Sequence, residues 1–537
     1  MTRLLLLTVF AFGCNAFDRE LDATAADECT FNSECTAKLS AGAAAEVAGV
    51  CVQDPTPHCA PLLSEDCTVV TGDYHDDAAI LIASLLSTTG AQAATNLPRQ
   101  QAAILAVEQI NASNAANGVL QSASPGDTRK LVMLSCDEAA NFPRVSTHLV
   151  SELHVSAIVG PNLSQDVLDL TAGKPETGVP SSARAGVTLL SPTAVASAIA
   201  TIPDDNLTFM MVPSDIQRTP LMKQHINALE TRLKTERSKS TIKLAIYYRA
   251  DALGQGTVDG LTSLTVNGGT LATAINLGKA REDSYDPVST DEAALVSSYV
   301  QFQPDIVVVV GAAEAVKYFV VPLEAAWQAT LPTVPKPHYV GIDSTKVPDL
   351  ITAVTGNNDL RLRWSGTGIT PTAETQPVLS AFQIAYGQRW KDANGNAQPA
   401  TQSGMGPAYD AVYTIALALV GNKTISGPSL VDAMPALASN TAACGYDSAG
   451  VKAPCFALSD FARTLYQNMG AVLGRGKVTE IGTFGRLEWD AQGAKTNGLI
   501  EIWCIDATGP KPIFASSGLT YDVKPQLPSG TFTQCGP

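Results

Sequence analysis

The strongest constraint on the fold is a repeated alternation of short apolar runs with segments long enough to form helices. The runs, rich in Val, Ile and Leu, cover residues 131–134, 157–160, 187–190, 243–248, 305–310 and 338–342. Almost continuous apolar strands separated by helices are typical of parallel sheets that helices cover on both faces. The segment 99–110 places Ile104, Val107 and Ile110 at helical spacing. Since one sheet of ordinary size cannot hold all these units, the pattern predicts two α/β lobes.

Composition limits the functional classes that this chain can belong to. The 537 residues are 45% hydrophobic and 16% charged, which excludes an intrinsically disordered protein. The formal net charge of −16 disfavours binding to nucleic acid, because an acidic surface repels phosphates. No run of about 18 apolar residues follows the N-terminal region, so we predict no transmembrane helix.

The first residues are typical of an export signal. One basic residue, Arg3, precedes an apolar stretch over residues 4–13 that is too short to span a bilayer. The letters Ala11-Phe12-Gly13-Cys14 resemble a bacterial lipobox, which implies a lipoprotein-type signal over residues 1–14 and a lipid anchor at Cys14. The alternative is an ordinary secretory signal with a nearby cysteine. Both interpretations predict a protein of the periplasm or cell envelope.

The cysteines support export to an oxidising compartment. Eleven cysteines less Cys14 leave an even number, as expected for disulfides. Residues 15–66 are polar and rich in Ala and Cys, and they predict a stapled tether rather than a lobe. Five cysteines between residues 29 and 67 cannot pair among themselves, so one must pair outside that segment. The sequence leaves the connectivity open; the pairs considered are one of these five with Cys136, Cys444 with Cys455, and Cys504 with Cys535. No Cys-x-x-Cys is present, and we predict no metal site.

Several phrases in a fixed order carry a resemblance to a known family. They cover residues 99–111, 157–164, 186–192, 212–217, 244–256, 304–311, 409–413 and 482–490. Together they resemble the branched-chain amino-acid (Leu/Ile/Val) binding proteins of the type I periplasmic binding protein superfamily, over about residues 67–510. The resemblance implies two doubly wound, Rossmann-like lobes joined by three hinge crossings, near residues 210–214, 366–370 and 476–480. Lobe 1 is then expected at 67–212 plus 368–478, and lobe 2 at 213–367 plus 479–537.

The resemblance also implies a ligand site in lobe 1, where strands end and helices begin. Ser164 opens a helix just after the strand that ends at Gly160, and a helix N-terminus suits a carboxylate. Its alternative role is a helix cap. The loop with Ser191, Thr193 and Ala194 is expected to hold a ligand's carboxylate and ammonium group. Val195 stands where amino-acid binders tend to have Thr, so one hydroxyl is missing.

Lobe 2 offers fewer candidates for ligand contact. Glu314 and Asp343 each follow an apolar strand and could face an ammonium group, or they could be plain surface acids. Tyr248 could line the hinge side of the cleft or belong to the core. Asp215 lies at the first crossing, where we expect it to cap the following helix.

The sequence contains no arrangement of residues that indicates an enzyme. A Gly-x-Ser-x-Gly elbow and a P-loop are both absent, and no cofactor is predicted. We therefore predict a solute-binding lipoprotein that captures a small polar ligand, an amino acid or related carboxylate, for an ABC-type membrane permease. The alternative is a ligand-sensing receptor module of the same fold that signals to a partner protein. The extra segments 390–405 and 437–460 favour that alternative slightly.

Overall fold

The structure is a computed structural model. It describes residues 29–53, 56–112, 120–121, 128–419, 427–428, 430–432, 455–458, 479–509, 511–533 and 535. The predicted signal, the predicted anchor Cys14, the pairing partner Cys444 and most of segment 437–460 lie outside these residues.

The elements follow one another in the alternating order that the sequence predicts. The strands are β1 (Gly49–Val52), β2 (His58–Pro61), β3 (Cys67–Thr71), β4 (Ile80–Leu86), β5 (Leu120–Gln121), β6 (Thr128–Arg129), β7 (Leu131–Asp137), β8 (Ala157–Val159), β9 (Thr188–Ser191), β10 (Thr208–Met210), β11 (Leu244–Arg249), β12 (Thr265–Val266), β13 (Gly269–Thr270), β14 (Ala280–Tyr285), β15 (Ile306–Val310), β16 (His338–Gly341), β17 (Trp364–Thr370), β18 (Cys455–Ala457), β19 (Thr479–Gly482), β20 (Gly485–Arg486), β21 (Leu499–Asp506), β22 (Ile513–Asp522) and β23 (Leu527–Ser529). The helices are α1 (Asn32–Ser40), α2 (Ala93–Ala112), α3 (Phe142–Thr147), α4 (Ser164–Ala172), α5 (Ser182–Ala185), α6 (Asp215–Glu236), α7 (Ala252–Leu261), α8 (Leu271–Asn276), α9 (Ala293–Phe302), α10 (Val321–Thr330), α11 (Pro348–Val354), α12 (Asn358–Leu362), α13 (Gln376–Arg389) and α14 (Met405–Leu419).

The first lobe is built on a six-stranded sheet with the order β10-β9-β8-β4-β7-β3. All neighbours are parallel except the edge strand β3, which is antiparallel to β7. Every residue of β7 is buried, because helices α2 and α14 pack on one face and α3 with its following π-helical turn on the other. This double coverage explains why the strand sequences are apolar throughout.

The second lobe is built on an eight-stranded sheet with the order β14-β11-β15-β16-β17-β21-β22-β23. Strands β14 to β17 are parallel, whereas β21, β22 and β23 join as antiparallel neighbours. All five residues of β15 are buried between two apolar cores. The predicted α/β class with two mainly parallel sheets is therefore confirmed.

The chain passes between the two sheets three times. It leaves the first sheet after Met210 and returns after Thr370, where α13 packs against α2. Strand β17 belongs to the second sheet along its full length, so residues 368–370 lie there and not in the first lobe as expected. Ile481 and Leu487 pack in the first core, so the third passage comes later than residues 476–480. It ends where β21 begins at Leu499.

The cysteine-rich N-terminal segment folds onto the first lobe. Helix α1 is tied to the hairpin β1–β2 by the disulfides Cys29–Cys51 and Cys35–Cys59. Val50, Val52 and Leu62 are buried in the same core as residues of β7 and α3. From Val50 onward, this segment is therefore part of the lobe, which its polar composition did not predict.

Two of the disulfides considered from the sequence are confirmed. Cys67 pairs with Cys136 and joins the edge strand β3 to β7, and Cys504 pairs with Cys535 near the C-terminus. No helix among the described residues combines the length and the apolar character needed to cross a membrane.

Candidate ligand-binding cleft

The candidate site is a closed cleft between the lobes, at the edge where the parallel strands of both sheets end. Ligands of open α/β sheets bind outside the carboxyl ends of the strands. Two small cavities of about 60 Å³ each lie in this cleft, which leaves room for only a few water-sized groups. Residues from both lobes line each cavity, and four of them line both: Arg99, Thr193, Leu253 and Ser344.

Arg99 is a buried cation at the centre of the cleft. It lies on α2, and its guanidinium donates to the carbonyl oxygen of Ser403 at 2.6 Å and to the Oδ1 atoms of Asn96 at 2.7 Å and Asn162 at 2.6 Å. All three acceptors are neutral. Burial lowers the pKa of Arg99 to about 10, so the side chain stays protonated at neutral pH. No carboxylate among the described residues forms an ion pair with it.

Ser164 holds the neighbouring loop in place. It is the first residue of α4, whereas Leu163 occupies the cap position, so Ser164 is not the cap. Its Oγ accepts hydrogen bonds from the backbone N–H groups of Val195 at 3.1 Å and Ala196 at 3.2 Å. Because both lone pairs are in use, the hydroxyl can act only as a donor toward the second cavity, which it lines.

Thr193 lines both cavities, as a residue of the predicted binding loop. Its Oγ1 donates to Asn162, with 2.7 Å to the carbonyl oxygen and 2.9 Å to Oδ1. Asn162 in turn accepts from Arg99. The three side chains form one network that positions the guanidinium.

The two other loop residues of the prediction support the site without lining either cavity. Ser191 is fully buried, where its Oγ donates to the carbonyl oxygen of Pro161 at 2.7 Å and accepts from the N–H of Ala194 at 3.1 Å. Ala194 packs in a small core with Val167 and Met210. Both residues shape the loop that carries Thr193.

Asp343 lies just past the end of β16 and lines the first cavity. Its carboxylate is shared between the Nη1 of Arg218 at 3.7 Å and the Nζ of Lys346 at 3.6 Å. Arg218 also lines this cavity, and burial lowers its pKa. Two cations therefore lie beside Asp343, although its Oδ1 makes no hydrogen bond to any described residue.

Asp215 has a different role from the expected helix cap. Ser214 and Gln217 form a reciprocal capping box at the start of α6, and Asp215 is the next residue, turned into the cleft. Its Oδ1 accepts from the N–H groups of Ile216 at 2.7 Å and Ser197 at 3.2 Å, while its buried Oδ2 has no partner among the described residues. Burial raises the pKa of Asp215 to about 6.

Glu314 connects the lobes and lines neither cavity. Its Oε1 accepts from Arg249 at 3.1 Å, from the hydroxyl of Tyr285 at 2.9 Å and from the N–H of Ala312 at 3.1 Å. Its Oε2 accepts from Gln92 of the first lobe at 3.3 Å. A carboxylate with this many donors is a link across the cleft, not a free partner for a ligand.

Tyr248 lies outside the lining of both cavities. It follows the fully buried Tyr247 on β11 and packs against the aliphatic core on the other face of the second sheet. The alternation of side chains along a strand explains why the two tyrosines face different cores.

The sequence interpretation missed Arg99 and Arg218 as cleft residues. Arg99 is the first residue of one of the segments that resemble the family, and the sequence pattern placed it only on an amphipathic helix. A usable signal was present: a charged residue in the first third of a helix that directly follows a strand, which places it near the strand's carboxyl end.

Comparison with known proteins supports the fold. No protein-family model matches the sequence, and no curated protein matches it. Among solved structures, it is similar to the branched-chain amino acid transporter substrate binding protein LivJ of Streptococcus pneumoniae in complex with isoleucine. The identity is 18%, the TM-score is 0.52, and the match covers 82% of this chain and 99% of that one.

Two further solved structures show the same likeness. The leucine binding protein LivK of Thermotoga maritima is 14% identical, with a TM-score of 0.53 over 83% of this chain and 99% of that one. A solute binding protein of an ABC transporter from Rhodopseudomonas palustris, in complex with 3,4-dihydroxybenzoic acid, is 15% identical, with a TM-score of 0.54 over 83% and 98%. The chain therefore has the two-lobe fold of the type I periplasmic binding proteins.

Proposed function

We propose that this protein is an exported solute-binding lipoprotein that captures a small polar ligand, an amino acid or related carboxylate, between its lobes. It then delivers the ligand to an ABC-type membrane permease. The observation that carries the proposal is that residues of both lobes line the same cavities. Closure around a ligand would therefore form contacts that neither lobe offers alone.

Polar contacts between the lobes favour the closed state. They include hydrogen bonds of Gln92 to Glu314, of Gln402 to the carbonyl oxygen of Lys346, of the Ser197 N–H to Asp215 and of Gln217 to the carbonyl oxygen of Lys495. Each such hydrogen bond contributes only about 1 kcal/mol net. Contacts with a ligand can therefore shift the balance between open and closed lobes.

The proposed location rests on the cysteines and the N-terminal sequence. Four disulfides join described residues, and disulfides persist in oxidising compartments. We place the protein in the periplasm or cell envelope, anchored through lipidated Cys14. Replacement of Cys14 by Ser should release the protein from the membrane fraction; retention of the variant there would contradict the anchor.

Thermal unfolding with a ligand panel tests the binding function. The panel holds proteinogenic amino acids, hydroxybenzoates and short fatty acids, the last because a solved relative is a fatty acid ABC transporter substrate-binding protein. A ligand at 100 times its Kd should stabilise the protein by about 2.7 kcal/mol. Mass spectrometry should recover that ligand unchanged. Conversion of the ligand, or no stabilisation by any member, would contradict the proposal.

A ligand-sensing receptor module of the same fold is the second candidate. The disulfide-tied segment around α1, which packs on the first lobe away from the cleft, favours it as a surface for a partner protein. Deletion of the gene separates the two functions. Loss of ligand uptake supports transport, whereas normal uptake with loss of a ligand-dependent response supports sensing.

A further inference from the structure

Among the described residues, no contact matches the charge of Arg99 with an opposite charge. Only neutral oxygens accept its hydrogen bonds, from Ser403, Asn96 and Asn162. Arg99 is only 5% exposed. Asp343 and Glu138 attract it only from beyond ion-pair distance. Asp343 is also already shared between Arg218 and Lys346.

A buried cation without an ion pair favours the binding of an anionic group. Removing a charge from water costs several kcal/mol unless an opposite charge repays it. A carboxylate suits a guanidinium, because a hydrogen bond between charged partners is about twice as strong as a neutral one. The recorded hydrogen bonds of Arg99 use its Nε and Nη1, so Nη2 is the atom left to donate to a ligand.

The two cavities differ in the acidic residues of their linings. The first cavity is lined by charges of both signs, Asp215 and Asp343 with Arg99 and Arg218, whereas no Asp or Glu of the described chain lines the second. The second cavity instead has Arg99 and the donor-only hydroxyl of Ser164, together with Arg249, whose charge is already paired with Asp251 and Glu314. An anionic group is therefore better placed in the second cavity than in the first.

We propose that Arg99 is the anion-recognising residue of this cleft and that it binds a ligand carboxylate in the second cavity, with Ser164 as the additional donor. The inference rests on the proposed function and assigns recognition of the ligand's carboxylate to one side chain. The rest of the ligand extends into the first cavity, past Leu253 toward Met222 and Val212.

This assignment also accounts for Val195. Its side chain has no hydroxyl and lies buried against an apolar core at the hinge. A charged anchor on α2 makes that hydroxyl unnecessary, since charge-assisted hydrogen bonds are about twice as strong as neutral ones. Selectivity for a carboxylate over an uncharged isostere then depends on one side chain.

Calorimetric titration of the wild type with matched acids and amides tests the inference. The probes are leucine with leucinamide, benzoate with benzamide, and 4-hydroxybenzoate with 4-hydroxybenzamide. The acid of at least one pair should bind at least 100-fold more tightly than its amide, because the amide cannot satisfy the guanidinium charge. Equal affinity for the acid and the amide of every pair that binds would overturn the role of Arg99.

The variants Arg99→Gln and Arg99→Lys extend the test. R99Q should lose at least 100-fold in affinity for the acid and much of the selectivity against the amide. R99K keeps the charge without the planar fork, so it should retain part of both. The control is Arg389→Gln, which removes an exposed ion pair with Glu108 on the outer side of the same helix. It should bind as the wild type does.

The outcomes separate this inference from the proposed function. Tight binding of an acid by folded R99Q would overturn the inference and leave solute binding intact. Absence of binding by the wild type to every acid and amide would overturn both. If R99Q does not fold, the ratio of acid affinity to amide affinity, measured for the wild type and for R99K, tests the role of Arg99.

Discussion

Ser164 contributes to both the stability and the chemistry of the cleft. Among the described residues, its Oγ is the one acceptor for the buried N–H groups of Val195 and Ala196. The same hydroxyl faces the second cavity as a donor. A serine that orders a binding loop through two backbone groups is pre-organised, because its own orientation is determined before a ligand arrives.

We expect Ser164→Ala to destabilise the fold as well as weaken ligand binding. Two buried N–H groups would lose their acceptor, at a cost of about 1–3 kcal/mol each. The control is Ser182→Ala, because Ser182 is fully buried and its Oγ has no partner among the described residues. Urea denaturation should show a clear loss for S164A and little change for S182A. Equal stability of the two variants would contradict this assignment.

At the scale of elements, α14 and β19 bury carboxyl groups against each other. Asp410 on α14 accepts from the N–H and hydroxyl of Thr483, both at 2.8 Å, and burial raises its pKa to about 7. Glu480 on β19 accepts from Thr414 of α14, and burial raises its pKa well above the usual range. Lys495 is buried nearby, where desolvation lowers its pKa to about 8.

These groups predict how the stability of α14 depends on pH. Asp410 has a higher pKa in the folded chain than the value near 4 of an unfolded chain, so the folded state binds its proton more tightly. Stability from this group is therefore present below pH 4 and is lost as the pH rises toward 7. Asp410→Asn cannot titrate, so the wild type should lose stability relative to D410N by a few kcal/mol over that range. The surface variant Asp432→Asn should run parallel to the wild type in thermal melts at pH 4, 5, 6 and 7.

The positions of most strands were predictable from the sequence alone. The run 305–310 became β15 at Ile306–Val310, and the run 338–342 became β16 at His338–Gly341. Strands buried on both faces must be apolar at every residue, so their sequence identifies them directly. The hairpin β1–β2 was not predicted, because its Val50 and Val52 are buried by distant segments of the first lobe, which a local pattern does not contain.

At the scale of the whole molecule, the lobes share one cleft and are joined by polar links that are individually weak. The links Gln92–Glu314 and Gln402–Lys346 lie on the closing faces, and three chain passages hold the lobes together behind them. The population of the closed state therefore depends on three free-energy terms: these hydrogen bonds, the contacts with a ligand, and the conformational entropy gained when the lobes open.

The double variant Gln92→Ala/Gln402→Ala should shift this balance toward the open state. Loss of two bonds worth about 1 kcal/mol each predicts an affinity about 30-fold weaker. Small-angle scattering should show a larger radius of gyration for the unliganded variant. Gln398→Ala removes a comparable bond to Lys391 within one loop and should change neither quantity. An unchanged radius and affinity in the double variant would contradict a closing role for these links.

The amino-acid sequence alone determined the α/β class, the two sheets and the positions of most strands, because burial on both faces leaves a local apolar pattern. It also pointed to the loop of Thr193 and to Asp343 at the strand ends. Only the tertiary structure decided which polar groups meet in the cleft. Arg99 and Ser403 are 304 residues apart, and their contact depends on how α14 packs against α2. No local pattern contains that information, since the orientation of a buried charge is set by every segment folded around it.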